Sequence, residues 1–347
     1  MTVHAYTSFS FAYLDRARVF AETLRRQHPD WIIWAVIVDK EPEGFYFELA
    51  NENFDRVIWA EDLFGPSASS WIFEHDIVEA CTAVKGRALQ HIMDEPDAEK
   101  IIYFDPDTGI FNSMDPVIEL LDNHSIVLTP HQIDPEPATA KRAIQDNEIT
   151  SLSHGIFNLG FIDVSNVPEA RKFAGWWAER LQDWCHDRLD IGVFVDQKWC
   201  DLIPCFFDNV KVLRDPGYNV ASWNLSQRKM HFSSEGVALI NGVPLRFFHF
   251  TKLGKLGDMM TERYALGNVE IYELWWWYRQ EVLKNRDSRI PQGWWFYRTF
   301  DNGVPIPRDG RLLYRDRQDL RDTFMFPLKV DDGYFHWLVT NGYVADQ

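Results

Sequence analysis

The sequence predicts an α/β protein with a mostly parallel central sheet flanked by helices and a helical, aromatic extension at the C-terminal end. Two observations carry this. Over the first 130 residues short apolar runs alternate with amphipathic stretches, the pattern of parallel strands joined by crossover helices. The 347 residues are 46% apolar and 25% charged, an ordinary globular composition long enough for about two domains or one large α/β unit with appendages.

Taken in order, the expected strands are Val3–Tyr6, Trp31–Val38, Arg56–Trp59, Ile101–Phe104 and Ile126–Thr129. Leu14, Ala17, Ala21 and Leu24 recur at helical spacing between the first two, as do Ile77, Cys81, Val84, Ala88 and Ile92 between later ones. Asp115-Pro116 reads as a helix N-cap with proline at the first helical position. From about Asp134 to Leu152 the chain is polar and turn-rich; Phe157–Val164 then reads as a strand, Pro168–Trp184 as a helix and Phe194–Asp201 as a short helix. After a strand at Leu245–Phe250 come a Gly-rich stretch from Gly254 to Gly267, a helix over Glu270–Lys284, and an aromatic, arginine-rich tail.

Charge excludes several functions. Lys and Arg number 35 against 52 Asp and Glu, a formal net charge of −17, so nothing pulls the chain toward phosphate backbones and no nucleic-acid partner is expected. The four cysteines (Cys81, Cys185, Cys200, Cys205) form no C-x-x-C pair and sit in apolar sequence, which suits buried thiols in a reduced compartment. The N-terminus lacks a basic region followed by an apolar core, and the longest apolar run, Trp31 to Val38, falls short of the ~20 residues of a membrane span. A cytoplasmic protein is expected. Neither a G-x-G-x-x-G after the first strand nor a G-x-x-x-x-G-K-[ST] occurs, so any phosphates are held another way.

The sharpest motif is Ile101-Ile102-Tyr103-Phe104-Asp105-Pro106-Asp107. In open α/β sheets ligands bind beyond the carboxyl ends of strands, where these two aspartates fall. Side chains of an extended segment alternate, so Asp105 and Asp107 are expected to point the same way. Two carboxylates at one spot repel each other unless a hard cation satisfies both, and such a cation bridges onto the phosphates of a nucleotide. Mg²⁺ or Mn²⁺ with a nucleotide diphosphate follows; the alternative is a turn that merely caps what comes next. The same residues resemble the first motif of haloacid-dehalogenase-type phosphatases, with Asp105 as nucleophile, Asp107 as acid/base and 257–262 as a late acidic motif, but that motif normally ends the first strand. Phe247-Phe248-His249-Phe250, followed by Lys252 and Lys255, offers an imidazole as third ligand and a lysine for a departing diphosphate, or else a core histidine.

With these residues in view the chain resembles bacterial GT-A-fold glycosyltransferases of surface-polysaccharide biosynthesis, related in layout to glycosyltransferase family 8. The likeness runs in order over most of residues 3 to 285: Glu79 to Lys85, the strand and D-x-D at 101–107, Ser125 to His131, His154 to Phe161, Phe194 to Trp199, Gly217 to Asn224 and Phe248 to Phe250. It implies a Rossmann-like GT-A fold and a metal-dependent enzyme that moves a sugar from a nucleotide-diphosphate donor to a glycan or lipid-linked acceptor, with retention of configuration. It implies Asp105, Asp107 and His249 as metal ligands, Thr7 and Ser8 at the nucleoside, Lys85 facing nucleotide or donor sugar, and Asn158, Asp196 and Gln197 around the reaction centre. If transfer inverts, Asp196 is the expected base, with Asp201 behind it. The family pattern has glycine third and lysine sixth after the histidine; here Lys252 stands third and Lys255 sixth, and either lysine is a candidate for the diphosphate. A non-catalytic carbohydrate-binding module on the same fold is the remaining alternative, disfavoured by the presence of both D-x-D and histidine.

The expected division is a catalytic domain at 1–265, its nucleotide half about 1–130 and its acceptor half about 131–265, followed by an extension at 266–347. Residues 279–330 hold 11 Lys or Arg against 7 Asp or Glu. With Trp275-Trp276-Trp277-Tyr278, Trp294-Trp295-Phe296-Tyr297 and Arg298, Arg308, Arg311, Arg315, Arg317 and Arg321, this tail suits an anionic lipid-linked acceptor or peripheral membrane contact, or else packs on the core through its aromatics.

Overall fold

The computed structural model describes residues 2–345; Met1, Asp346 and Gln347, at the outer ends of the two expected domains, lie outside the described residues. The strands that carry the architecture are β1 (Val3–Phe9), β2 (Ile32–Ile37), β3 (Arg56–Trp59), β4 (Lys100–Phe104), β5 (Thr108–Ile110), β6 (Ile126–Pro130), β7 (Phe157–Ser165), β8 (Val210–Val212), β9 (Val220–Ala221) and β10 (Phe247–His249). Seven of them form the central sheet in the order β8-β6-β7-β4-β1-β2-β3. Every neighbouring pair is parallel except those made by β7, which runs antiparallel to both β4 and β6. A second sheet, β9-β10-β5, stands beside the carboxyl end of β4.

Near-continuous apolar strands follow from burial on both faces. From β1, Tyr6 enters one hydrophobic cluster while Ala5 and Phe9 enter the other. Helix α1 (Leu14–Gln27) covers the second of these, through Leu14, Ala17, Phe20, Ala21 and Leu24. Helices α2 (Ile77–Met93) and α3 (Pro168–Trp184) cover the first and pack closely on each other. At their crossing a Cβ on Gly86 would lie 2.6 Å from the Cα of Ala178, so only glycine permits this approach. Helix α2 opens with a capping box: Asp76 accepts from the Val78 and Glu79 amides, and the Glu79 carboxylate accepts from the Asp76 amide.

Several local expectations are corrected. Asp115 is the first helical residue of the segment Asp115–Leu120, not its cap; Met114 takes the cap position. The expected helix at Phe194–Asp201 is instead a strand end at Val193–Phe194, a bend in which Val195 has a left-handed φ of 37°, and a tight helical turn at Lys198–Leu202. The stretch beginning at Gly254 folds mostly as a helix, α4 (Lys255–Ala265), leading into α5 (Val269–Lys284). Of the four free thiols, Cys185 and Cys200 are buried and Cys81 half-buried, but Cys205 is exposed.

The tail is built into the interior. Tyr297, Phe300, Tyr314, Tyr334 and Leu338 belong to the same cluster as α2, α3 and the sheet. Arg311 and Arg315 are buried, so two of the six tail arginines are unavailable to an anionic surface. Arg311 donates from Nη1 to the Phe73 carbonyl at 2.8 Å, and Arg315 Nη1 contacts His186 Nδ1 at 2.9 Å and the Glu79 carboxylate at 3.4 Å. Among the described residues no helix is long and apolar enough to cross a membrane.

Candidate active site

Beyond the carboxyl end of β4 the chain turns back at Asp105-Pro106-Asp107 and enters β5, which pairs antiparallel with β10 so that Thr108 stands opposite His249. The aspartates are therefore on a turn, not an extended strand, closed by the Thr108 amide and hydroxyl donating to the Asp105 carbonyl at 3.2 and 2.9 Å. Their convergence comes from that turn and from the register of β5 on β10. His249 Nε2 lies 3.0 Å from Asp107 Oδ1 and 3.6 Å from Asp105 Oδ2. One ligand atom from each of the three side chains falls within 4.8 Å of the others. Two hard oxygen donors and an imidazole in that compass fit a divalent cation of the Mg²⁺ or Mn²⁺ kind.

Electrostatics bind the cluster together. Burial opposes the Asp107 charge, but the facing His249 imidazolium, by charge and hydrogen bond, with Arg16 beyond it, holds the carboxyl below its ordinary value. Burial likewise opposes protonation of His249, and the Asp107 and Asp105 carboxylates overcome it. His249 Nδ1 is buried with no hydrogen-bond partner.

A second ion cluster adjoins the first. Lys85, on α2 and 2% exposed, has Nζ at 2.8 Å from Asp196 Oδ2, 3.1 Å from Asp105 Oδ1 and 3.0 Å from the Leu159 carbonyl. Burial favours neutral lysine, yet the two carboxylates raise it well above its usual value. Asp196 is pushed upward by burial and pulled back by Lys85. Tyr103 donates to Asp105 Oδ1 at 2.7 Å and lies 3.0 Å from the Ser8 hydroxyl.

Asn158 holds the opposite wall. Its Oδ1 accepts from the Gly160 amide at 3.1 Å and from Asn219 Nδ2 at 3.0 Å, and its Nδ2 faces His131 Nε2 at 3.2 Å. Burial pushes His131 down to about 4, and the neutral ring contacts the Ile156 carbonyl through Nδ1. Gln197 accepts from the Leu159 amide at 3.3 Å and donates to the His154 carbonyl at 3.1 Å. Gly160 passes so close to His249 that a Cβ there would lie 2.7 Å from Nδ1.

A cavity of about 490 Å³ gathers Ser8, Lys85, Asp105, Asp107, Asn158, Asp196, Gln197, His249 and Lys252 into one lining. Three expected residues fall elsewhere. Thr7 is fully buried in β1 and does not line it, and Ser10 takes its place. Lys255 opens α4 on the exposed surface outside the lining. Asp201 accepts from the Ile156 amide at 2.7 Å and pairs with Lys198, away from the cavity. Lys252 adopts a left-handed φ of 57°, the conformation that glycine takes without penalty, at the position where the resembled pattern carries glycine. Asp258, in the segment considered as a phosphatase motif, pairs with Arg279 instead of approaching Asp105. Tyr103, His131, Asn219 and Trp223 were not expected in roles of their own. All four lie in the ordered motifs, in 101–107, 125–131 and 217–224, and that adjacency was the signal available.

No family model matches the chain. It is 24% identical over 285 residues to the uncharacterised protein YfnD of Bacillus subtilis (strain 168), covering 81% of this chain and 84% of that one. It is 28% identical over 177 residues to the uncharacterised protein YfnF of the same organism, matching 51% of this chain and spanning 57% of YfnF. Among solved structures it is similar to the galactosyltransferase LgtC in complex with donor and acceptor sugar analogs, at a TM-score of 0.45 and 16% identity over 81% of this chain and 100% of that one. It is also similar to mouse xyloside xylosyltransferase 1, at 0.41 and 15% identity over 73% and 98%.

Proposed function

We propose that the chain is a metal-dependent GT-A-type glycosyltransferase that takes a sugar from a nucleotide-diphosphate donor. The observation that carries this reading is the convergence of Asp105, Asp107 and His249 in the wall of a cavity at the carboxyl end of a strand in a mostly parallel sheet. A divalent cation held by those three side chains would neutralise the diphosphate as it leaves the anomeric carbon. The chain's own groups do the rest. Ser8 and Ser10 border the nucleoside end, Lys252 adds a cation at the open side of the cavity, and Lys85 fixes Asp105 and Asp196 relative to each other. Asn158 and Gln197, each tied to backbone on β7 or the segment before it, orient the donor sugar. Asp196, locked to Lys85, favours a positioning and electrostatic role over that of a general base, which suits retention of configuration.

We take 1–265 as the catalytic unit and 266–347 as an extension that buttresses it. The acceptor in this reading is a glycan or lipid-linked saccharide of surface-polysaccharide assembly, met at the cytoplasmic side. A thermal-shift panel of nucleoside diphosphates and sugar nucleotides, with and without Mn²⁺, tests the donor site on wild type and Asp107→Ala. Stabilisation by one nucleotide only with metal, lost in the variant, is expected. Absence of any nucleotide response refutes the reading.

A further inference from the structure

A second cavity, of about 570 Å³, opens between the N-terminal turn of α1 and the C-terminal end of α5. Tyr13 lines both cavities, and the loop after β10 divides them, with Lys252 facing the first and Leu253 the second. The second cavity is rich in arginine on a strongly acidic protein. Arg18 and Arg279 are neutralised there by Glu52 and Asp258. Arg16 and Arg286 have no carboxylate within ion-pair distance among the described residues. The Arg16 guanidinium stacks on Tyr13 with its carbon 3.8 Å from the ring centre, and its Nε is enclosed without a partner. Asp15 opposes them from the same wall, its carboxyl raised by burial against the pull of Arg16 and Arg286, while Asp287 is taken by Arg289.

The face of α5 that leads to this cavity is apolar and uncovered. Val269, Tyr272, Trp276 and Leu283 fall on one stripe at spacings of three, four and seven residues, with exposures of 59%, 39%, 66% and 59%. Arg279, paired with Asp258, interrupts this stripe between Trp276 and Leu283, and Arg286 stands two residues past the end of α5; both line the cavity. Leu256, Met259 and Leu266 of the preceding segment are exposed as well. An exposed Trp and Tyr beside aliphatic side chains, ending at two unpaired guanidinium groups, is the arrangement that meets an amphiphile at its headgroup boundary. The net charge of −17 opposes approach to an anionic membrane, but screening confines that repulsion to about 8 Å at physiological salt.

We infer that this cavity and the α5 stripe form a binding site for an anionic, phosphate-bearing lipid, its headgroup between Arg16 and Arg286 and its apolar part along Leu283, Trp276 and Tyr272. The site is separate from the donor cavity and does not depend on glycosyl transfer. Flotation with vesicles of phosphatidylcholine alone and of phosphatidylcholine mixed with phosphatidylglycerol tests it on the full chain. Wild type is expected to float with the mixed vesicles only. Arg286→Glu reverses an exposed basic residue worth about 1 kcal/mol at an anionic leaflet, so partitioning falls roughly thirtyfold. Trp276→Ser, also at the surface, weakens binding without changing charge, and Arg180→Glu, the same charge change on α3, leaves it intact. No flotation with either vesicle, or flotation that Arg286→Glu and Trp276→Ser leave unchanged, overturns the inference. So does stabilisation by inorganic phosphate without any vesicle binding, which would mark a site for small anions only.

Discussion

Gly160→Ala is the sharpest test of the site, because the change is one methyl group. The new Cβ would lie 2.7 Å from His249 Nδ1 and 2.8 Å from Asn158 Oδ1, whereas ordinary non-bonded contacts begin near ~3.5 Å. Gly160 cannot retreat, since its carbonyl accepts from the Asp105 amide at 2.9 Å within the β4–β7 pairing. His249, whose Cε1 lies closer to the new methyl than Nδ1 does, must therefore move by about 0.8 Å or more, beyond the ~0.5 Å within which a constellation of this kind keeps its geometry. Loss of orientation at a ligand costs 10- to 100-fold in metal affinity, by the usual order of magnitude. With Mn²⁺ at about a hundred times its wild-type dissociation constant, binding adds about 2.7 kcal/mol, and a hundredfold weaker site adds about 0.4. At about 2.1 cal/mol/K per residue the unfolding entropy of a chain this long is about 0.7 kcal/mol/K, so the metal-induced rise in Tm shrinks by about 3 °C. Overpacking also costs about 1–3 kcal/mol of stability and so lowers the metal-free Tm, which makes the measured quantity the difference between scans with Mn²⁺ and with EDTA. A full wild-type rise in Gly160→Ala refutes the assignment of His249 as a ligand held by this contact.

Two further outcomes are expected. Asp163 of β7 is completely buried with neither carboxylate oxygen partnered, and burial raises it well above its ordinary value. The folded state then holds a proton that the unfolded state releases near pH ~3.9, so stability falls as pH rises from there through the folded value, by at most about 1.4 kcal/mol per pH unit. Urea unfolding between pH 5 and 8 is expected to show a shallower decline in Asp163→Asn; parallel profiles would exclude Asp163 as the cause. Lys85→Met leaves Asp196 buried without its cation and is expected to cost about 3–5 kcal/mol, of which Lys85→Met/Asp196→Asn recovers part. A single variant within about 1 kcal/mol of wild type by the same method would show that the pair contributes little.

Legibility in the sequence followed the range of the interactions. β3 and α3 have the expected bounds because Arg56–Trp59 and Pro168–Trp184 carry their own signals, an apolar run before a charged break and a proline at the helix start. Asp105, Asp107 and His249 were legible as a set through chemistry alone, although the reason given for the aspartates, strand alternation, is replaced by a turn. The bend at Val195 and the helix starting at Lys255 were not, because long-range pairings override propensity there: Val195 donates to the His186 carbonyl, and Arg279 reaches back to Asp258. Nothing in Thr7-Ser8 says which side chain faces the cavity, since a one-residue change of face in β1 depends on which helix covers which side. The close approach of Gly160 to His249 spans 89 positions and belongs to the register of two sheets, which no local pattern encodes.

The burial of Arg311 and Arg315 also has a consequence for how the chain is made. The nascent chain emerges N-terminus first, at about 5–20 residues per second, so residues 70–80 leave the ribosome tens of seconds before their partners in a slow synthesis. Through that interval the Phe73 carbonyl, the Glu79 carboxylate and the apolar face that Tyr314 and Tyr334 will cover stand open to water. The sheet and α2 can assemble early, but the helix that carries Lys85 toward the site is not sealed at its N-terminal end until residue 338 has been released. Folding of this flank thereby waits for residues 311–338, and a chain stalled before Arg311 would leave uncovered the apolar surface that Tyr314, Tyr334 and Leu338 pack against.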